Sequence, residues 1–244
     1  MLETLFSPES GAALLKIIGI NIVLSGDNAV VIALACRSLP EKQRKMGVMF
    51  GSAGAIVLRI ILTFFAVYLM HLPYLKIVGA LLLLWIGVKL TMPEEGHGEG
   101  ISSNDNLMAA VRTIIIADLV MSLDNVIGVA AAANGSVPLI VVGLLISIPI
   151  IIFGSTLIMK VMDRLPIIIT IGGGLLGYVA GEMAVTDNAI TGWIEHNAPY
   201  LHTWLPILGA VFVVAVGKWL ASRQEKKTAP LVDLAAGDAS ISGK

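Results

Sequence analysis

NIVLSGDNAVVIALACRS, residues 21–38, returns as DLVMSLDNVIGVAAAANG at residues 118–135. Aligned without gaps, the two stretches share six of 18 positions, among them Ser25/Ser122, Asp27/Asp124 and Asn28/Asn125. Each is a long apolar run interrupted by the same acid–amide pair. A second match joins LPYLKIVGALLLLWIGVKL (72–90) to LPIIITIGGGLLGYVAGEM (165–183), with five identities in 19. The offset between copies changes slightly from the first match to the second, and the short connection at 134–136 absorbs the change. Two copies of a three-helix unit, followed by one further helix, account for the pattern.

The rest of the chain has the composition such a pattern needs. Of its 244 residues, 57% are hydrophobic and 14% charged, and the mean hydropathy is +0.89. Soluble domains run at about 45–50% apolar and about 25% charged, so this chain is too apolar for water. A net charge of −1 and one cysteine, Cys36, exclude a basic nucleic-acid binder and a disulfide scaffold. A membrane-crossing helix needs about 20 apolar residues. Seven stretches qualify: residues 11–35, 46–70, 74–92, 109–133, 137–159, 165–187 and 200–220. The runs are too long for barrel strands, and helices satisfy their own backbone in lipid. The expected fold is an all-α polytopic membrane protein with seven transmembrane helices, two inverted three-helix repeats and a seventh helix.

The expected units are residues 1–92 (first repeat), an acidic cytoplasmic loop at 93–108, and 109–187 (second repeat). An outer loop and the seventh span follow at 188–220, then a polar, non-periodic, disordered cytoplasmic tail at 221–244. The N-terminus has no basic n-region or small-residue cleavage site, so the first span is expected to be kept. With the N-terminus outside, thirteen of the 16 Lys and Arg residues fall on the inner side. Only Lys16 and Lys76 fall outside, and Arg59 lies mid-span. That bias predicts an N-out, C-in protein of a bacterial-type inner membrane.

An odd number of spans per repeat makes the second copy enter the bilayer from the opposite side. Transporters built this way hold their substrate near the midplane, between the copies. There the sequence puts Asp27 and Asp124. A charge at the bilayer centre costs about 3 kcal/mol even on lenient scales, so each acid needs a partner, a cavity or an ion. Asn21, Ser25 and Asn28 lie on one helical face, and Asp118, Ser122 and Asn125 repeat that stripe. Gly26 offers a place for local unwinding in the first copy. The donors are Asp27, Asn28, Asp118, Asp124 and Asn125: hard oxygens, with no Cys or His beside them. Such a set suits Mg, Ca or Mn rather than zinc or copper. Arg59 reads as the counter-charge to Asp27, Asp118 or Asp124. Glu182, aligned with Lys89 under the repeat, reads as an entry carboxylate or proton carrier at one end of the cavity. Asp187 reads as a solvated acid at the outer edge. Once a cation leaves, crowded and poorly hydrated carboxylates are most easily neutralised by protons, so exchange of a divalent ion for protons is expected. No phosphate-binding GxxxxGK[ST] loop supplies another motor, and no nucleophile–base or metalloprotease spacing suggests an enzyme.

SGDNAVVIALA (25–35) and ADLVMSLDNVIGVAAA (117–132) resemble the two signature segments of the TerC family of integral membrane proteins. The duplicated seven-span layout is similar as well, so the resemblance covers nearly the whole chain except the tail. It implies kinship with exporters resembling the lysine-exporter superfamily, whose members are linked to manganese efflux, calcium handling and tellurite resistance. By position, the family's acidic residues fall on Asp27 with Asn28 and on Asp124 with Asn125, and Asp118 precedes the second segment. The short chain resembles the metal-transporter subgroup, so the resemblance favours Mn2+, with Ca2+ behind it, as transported cation. No permanently bound cofactor and no nucleic acid are expected; the partners are the bilayer, the metal ion and, left open, further copies of the chain. Two other readings stand beside export: a protein for membrane-protein assembly or metal supply, and a small-solute exporter. Assembly alone does not require duplicated acids at the midplane, and an amino-acid carboxylate would be repelled by them.

Overall fold

The computed structural model describes residues 26–92, 103–132 and 137–228, with the isolated positions 15, 18 and 19. Its helices follow one another as α1 (Gly26–Cys36), α2 (Glu41–Met70), α3 (Leu75–Thr91), α4 (Ser103–Ala132), α5 (Val137–Arg164), α6 (Ile167–Val185), α7 (Thr191–Asn197) and α8 (Leu201–Thr228). There is no strand among the described residues. Among the described residues, five segments are long and apolar enough to cross a membrane: Glu41–Phe65, Asn106–Leu123, Pro138–Arg164, Ile167–Val185 and Leu201–Gln224. The 17 residues of α3 reach about 25 Å at a rise of about 1.5 Å each. Phe64, Leu81, Phe153 and Trp204 point outward, where lipid rather than water is the compatible solvent. The protein is an α-helical membrane protein.

Several connections expected from hydropathy are helix instead. The charged stretch Glu41–Lys45 is the first turn of α2, α5 continues to Arg164, and α4 starts at Ser103. The outer connection contains α7, and α8 extends through Ser222 to Thr228. Hydropathy marks where a helix leaves the hydrocarbon, whereas backbone bonding and proline decide where it begins or ends. Pro40 illustrates this: its carbonyl accepts the N–H groups of Gln43 and Arg44, opening α2 among charged residues.

Small residues set the packing. On α6, Gly177 meets the backbone of Gly209 on α8, and Gly181 meets Leu205 and Pro206; a side chain at either glycine would overlap the opposing backbone. Gly51 and Gly54 of α2 receive Ile114 and Ile115 of α4. Gly154 of α5 faces Ala29, and Gly172 of α6 faces Val30 and Leu34, so α1 is wedged between α5 and α6. Around it lies one core to which α1 contributes Val31, Ile32 and Leu34, with Leu83, Ile114 and Leu176 from its neighbours.

Asp187, expected to be solvated, is buried at 1% exposure just beyond α6. Its Oδ1 accepts the N–H of Tyr74 (3.0 Å) and of Ala189 (2.8 Å), and its Oδ2 accepts those of Lys76 (3.0 Å) and Ile77 (3.3 Å). It caps α3 from across the bundle, satisfying donors that begin a helix without an internal partner. Tyr74, at φ 64°, adopts the left-handed conformation that aims its N–H at the carboxylate. Burial alone would push the Asp187 carboxyl up; the N–H groups of Ala189, Tyr74, Ile77 and Lys76 outweigh it and hold the carboxyl below its ordinary range. A depressed folded-state value means stability that is fully present above the unfolded carboxylate's pKa of about 3.9 and lost as pH falls below it. Thermal unfolding of detergent-purified Asp187→Asn should therefore start from a lower midpoint at neutral pH. The gap from wild type should narrow as pH drops through that window; a constant gap would contradict the cap's role.

Candidate metal site

Three buried polar side chains join α2 to α4 inside the bundle. Arg59, Asp118 and Ser122 are 2%, 7% and 0% exposed. Arg59 Nη2 donates to Asp118 Oδ1, and Arg59 Nε donates to Ser122 Oγ at 2.9 Å. Ser122 Oγ donates in turn to Asp118 Oδ2 at 3.1 Å. The four-residue spacing of Asp118 and Ser122 puts both on the α4 face that meets α2. Thr63 Oγ1 donates to the Arg59 carbonyl at 2.8 Å, one turn further along α2. Both Asp118 oxygens are engaged, so the carboxylate is a fully partnered charge.

Asp27 lies in the first described turn of α1, partly buried, with Oδ1 accepting the N–H of Asn28 at 2.8 Å. The buried ion pair thus joins Arg59 to Asp118, while Asp27 accepts from its own chain neighbour. Asn28 is buried beside Asp27, and Asn125 is half-buried on α4. Asp124 belongs to α4 by its backbone, but its side chain lies outside the described residues, as do Asn21 and Ser25 altogether. Gly26 opens the described part of α1. Among the described residues, no group of three or more His, Cys, Asp and Glu side chains is gathered closely enough to hold a metal ion. The described hard-oxygen donors are thus Asp27 and Asp118, with amide and hydroxyl oxygens near them.

Glu182 stands elsewhere. It is exposed on α6 and follows Ile171, Leu175 and Tyr178 down the outward stripe, while Gly177, Ala180 and Gly181 face inward. The direction of its side chain is set by the packing of α6 against α8. Lys89, its aligned counterpart, lies over the Trp85 ring at 5.3 Å. Sequence reasoning passed over Ser52, whose buried hydroxyl has no hydrogen-bond partner among the described residues. It precedes Arg59 by two turns on the same α2 face; that spacing was the available signal.

The TerC model, described as the integral membrane protein TerC family, matches residues 6–225. The chain belongs to the TerC family. Bacillus subtilis membrane protein YjbE is 45% identical over 202 residues, covering 83% of this chain and 92% of that protein. YkoY of the same organism is 26% identical over 243 residues, covering 90% of this chain and 74% of its own length. The Escherichia coli inner membrane protein YgdQ is 26% identical over 176 residues, or 65% of this chain and 74% of YgdQ. No solved structure matches this TerC-family chain. The family match spans α1 and α4, the two helices that carry the duplicated acid–amide pair.

Proposed function

We propose that this TerC-family protein is a secondary transporter that exports a hard divalent cation, Mn2+ foremost, in exchange for protons. The observation that carries the reading is the Arg59–Asp118 pair buried between α2 and α4, with Asp27 a partly buried acid of the duplicated segment. A divalent ion suits hard oxygen donors of this kind. Arg59 holds Asp118; a cation reaching Asp118 competes with Arg59 for the same carboxylate. Asp124, paired with Asn125 in the second copy of the segment, completes the ligand set, and protons neutralise the acids on the return. Seven spans, arranged as two inverted repeats and a seventh helix, bring both copies to one midplane site. The N-terminus lies outside and the C-terminus in the cytoplasm of a bacterial inner membrane.

Calorimetric titration of purified protein with MnCl2, in buffers of different ionisation enthalpy, tests the shared chemistry. Mn2+ should bind and release protons, because metal and proton compete for the same carboxylates. An absence of binding by Mn2+, Ca2+ and Mg2+ alike would defeat the proposal.

A further inference from the structure

Arg44 makes an unusual set of contacts at the end of the bundle where α2 begins and α5 finishes. Its Nη1 pairs with Asp163 Oδ2 of α5 at 2.9 Å. Its Nε donates to the Leu39 carbonyl at 3.0 Å, and its Nη2 to the Arg37 carbonyl at 2.6 Å. One guanidinium thus clasps the α1–α2 turn and fastens it to α5. Arg37, whose carbonyl it holds, donates through Nη2 to the Met92 carbonyl just past α3 at 2.7 Å. Four helices meet in this strap. The opposite end of the bundle, where Asp187 caps α3, contains a cavity of about 50 Å3 bordered by Leu69, Leu72, Lys76, Leu123 and Asp187. One end is strapped by these contacts, and the other is hollow beside Leu123, the chain neighbour of Asp124.

The strength of the strap suits something that must open. The Arg44 and Asp163 side chains are 27% and 52% exposed, and exposed ion pairs stabilise weakly. By contrast, the Arg59–Asp118 pair, carried by the same helix α2, is buried. Arg44 and Arg59 lie 15 residues apart, roughly 22 Å along a helix rising about 1.5 Å per residue. A rigid helix fixed to α4 at one point and to α5 at another transmits a change at either.

We propose that Arg44 and Asp163 are the latch of a gate at this end, released when a cation draws Asp118 away from Arg59. The release step rests on the function proposed above; the latch itself does not. The chain contains its own reporter. Cys36, the single cysteine, is buried at the turn that Arg44 clasps, packed where Gly47 of α2 passes over it.

The test measures N-ethylmaleimide labelling of Cys36 in the full-length protein in lipid nanodiscs at fixed pH. Asp163→Asn should label about fivefold faster or more, and Asp163→Glu, which keeps the charge, should label at the wild-type rate. Wild type in about 0.5 M NaCl should also speed up, because salt at that level screens exposed pairs, and this arm needs no variant to fold. Wild-type rates in folded Asp163→Asn and in high salt would overturn the latch. MnCl2 should accelerate labelling of wild type but not of Asp118→Asn. Acceleration by Asp163→Asn without any response to MnCl2 supports the latch and rejects the cation as its trigger.

Discussion

Arg59→Ala should lower the yield of folded protein severely and abolish transport. Removing the guanidinium leaves Asp118 with Ser122 as its remaining described partner, deep between α2 and α4. Breaking a buried pair by deleting one member costs about 3–5 kcal/mol, against a total stability of about 5–15 kcal/mol for a typical domain. Arg59→Lys rescues little, because an ammonium cannot hold Asp118 and Ser122 together as the planar guanidinium does. The double variant Arg59→Met with Asp118→Leu separates structure from function. Replacing both charges with apolar groups should restore folded yield and midpoint, since a buried pair can be exchanged for packing at little cost. Transport should stay absent. Size-exclusion profiles, thermal midpoints and vesicle flux read all three variants. Normal yield and flux in Arg59→Ala would contradict the counter-charge role.

Asp27→Asn is expected to behave differently. Asp27 is only partly buried and makes no described ion pair within salt-bridge distance; its contact is with the Asn28 N–H, which an amide oxygen can also accept. The protein should therefore reach the membrane and unfold near the wild-type midpoint. Divalent-cation flux should fall at least about tenfold, corresponding to roughly 1.4 kcal/mol of lost cation stabilisation. Asp124→Asn should match it if both acids hold one ion. Flux measurements on reconstituted protein at matched amounts decide the point, and unaltered flux in both variants would remove the shared site.

What the sequence revealed of this site depended on how local the cause was. The mid-span charge of Arg59 and the acid at Asp118 demanded partners on energetic grounds alone. Their pairing with each other depends on α2 meeting α4, which Gly51 and Gly54 permit by admitting Ile114 and Ile115; no spacing within one helix encodes that. Asp187 was misread for the same reason, because its carboxylate caps a helix that begins more than a hundred residues earlier. Glu182 shows the limit of the repeat itself. Positions that align in sequence need not share an environment, because helix rotation follows the neighbours, and α6 turns its glycines to α8 and Glu182 outward. The helical membrane character was legible throughout, since apolar run length reports it directly. Helix ends were less so: charge at Glu41–Lys45 signalled departure from lipid without ending the helix.

Proton-driven metal accumulation in proteoliposomes tests the central claim most directly. Purified protein is reconstituted, membrane potential is clamped, and a pH gradient is imposed with Mn2+, Ca2+, Mg2+ or Zn2+ at equal concentration on both sides. Cation–proton exchange predicts that Mn2+ accumulates above equilibrium in the more acidic compartment, with protons moving the opposite way and Zn2+ excluded. Accumulation should vanish in Asp27→Asn. Mn2+ flux that follows only its own gradient, with no proton countermovement, or no flux of any of the four ions, would contradict the account.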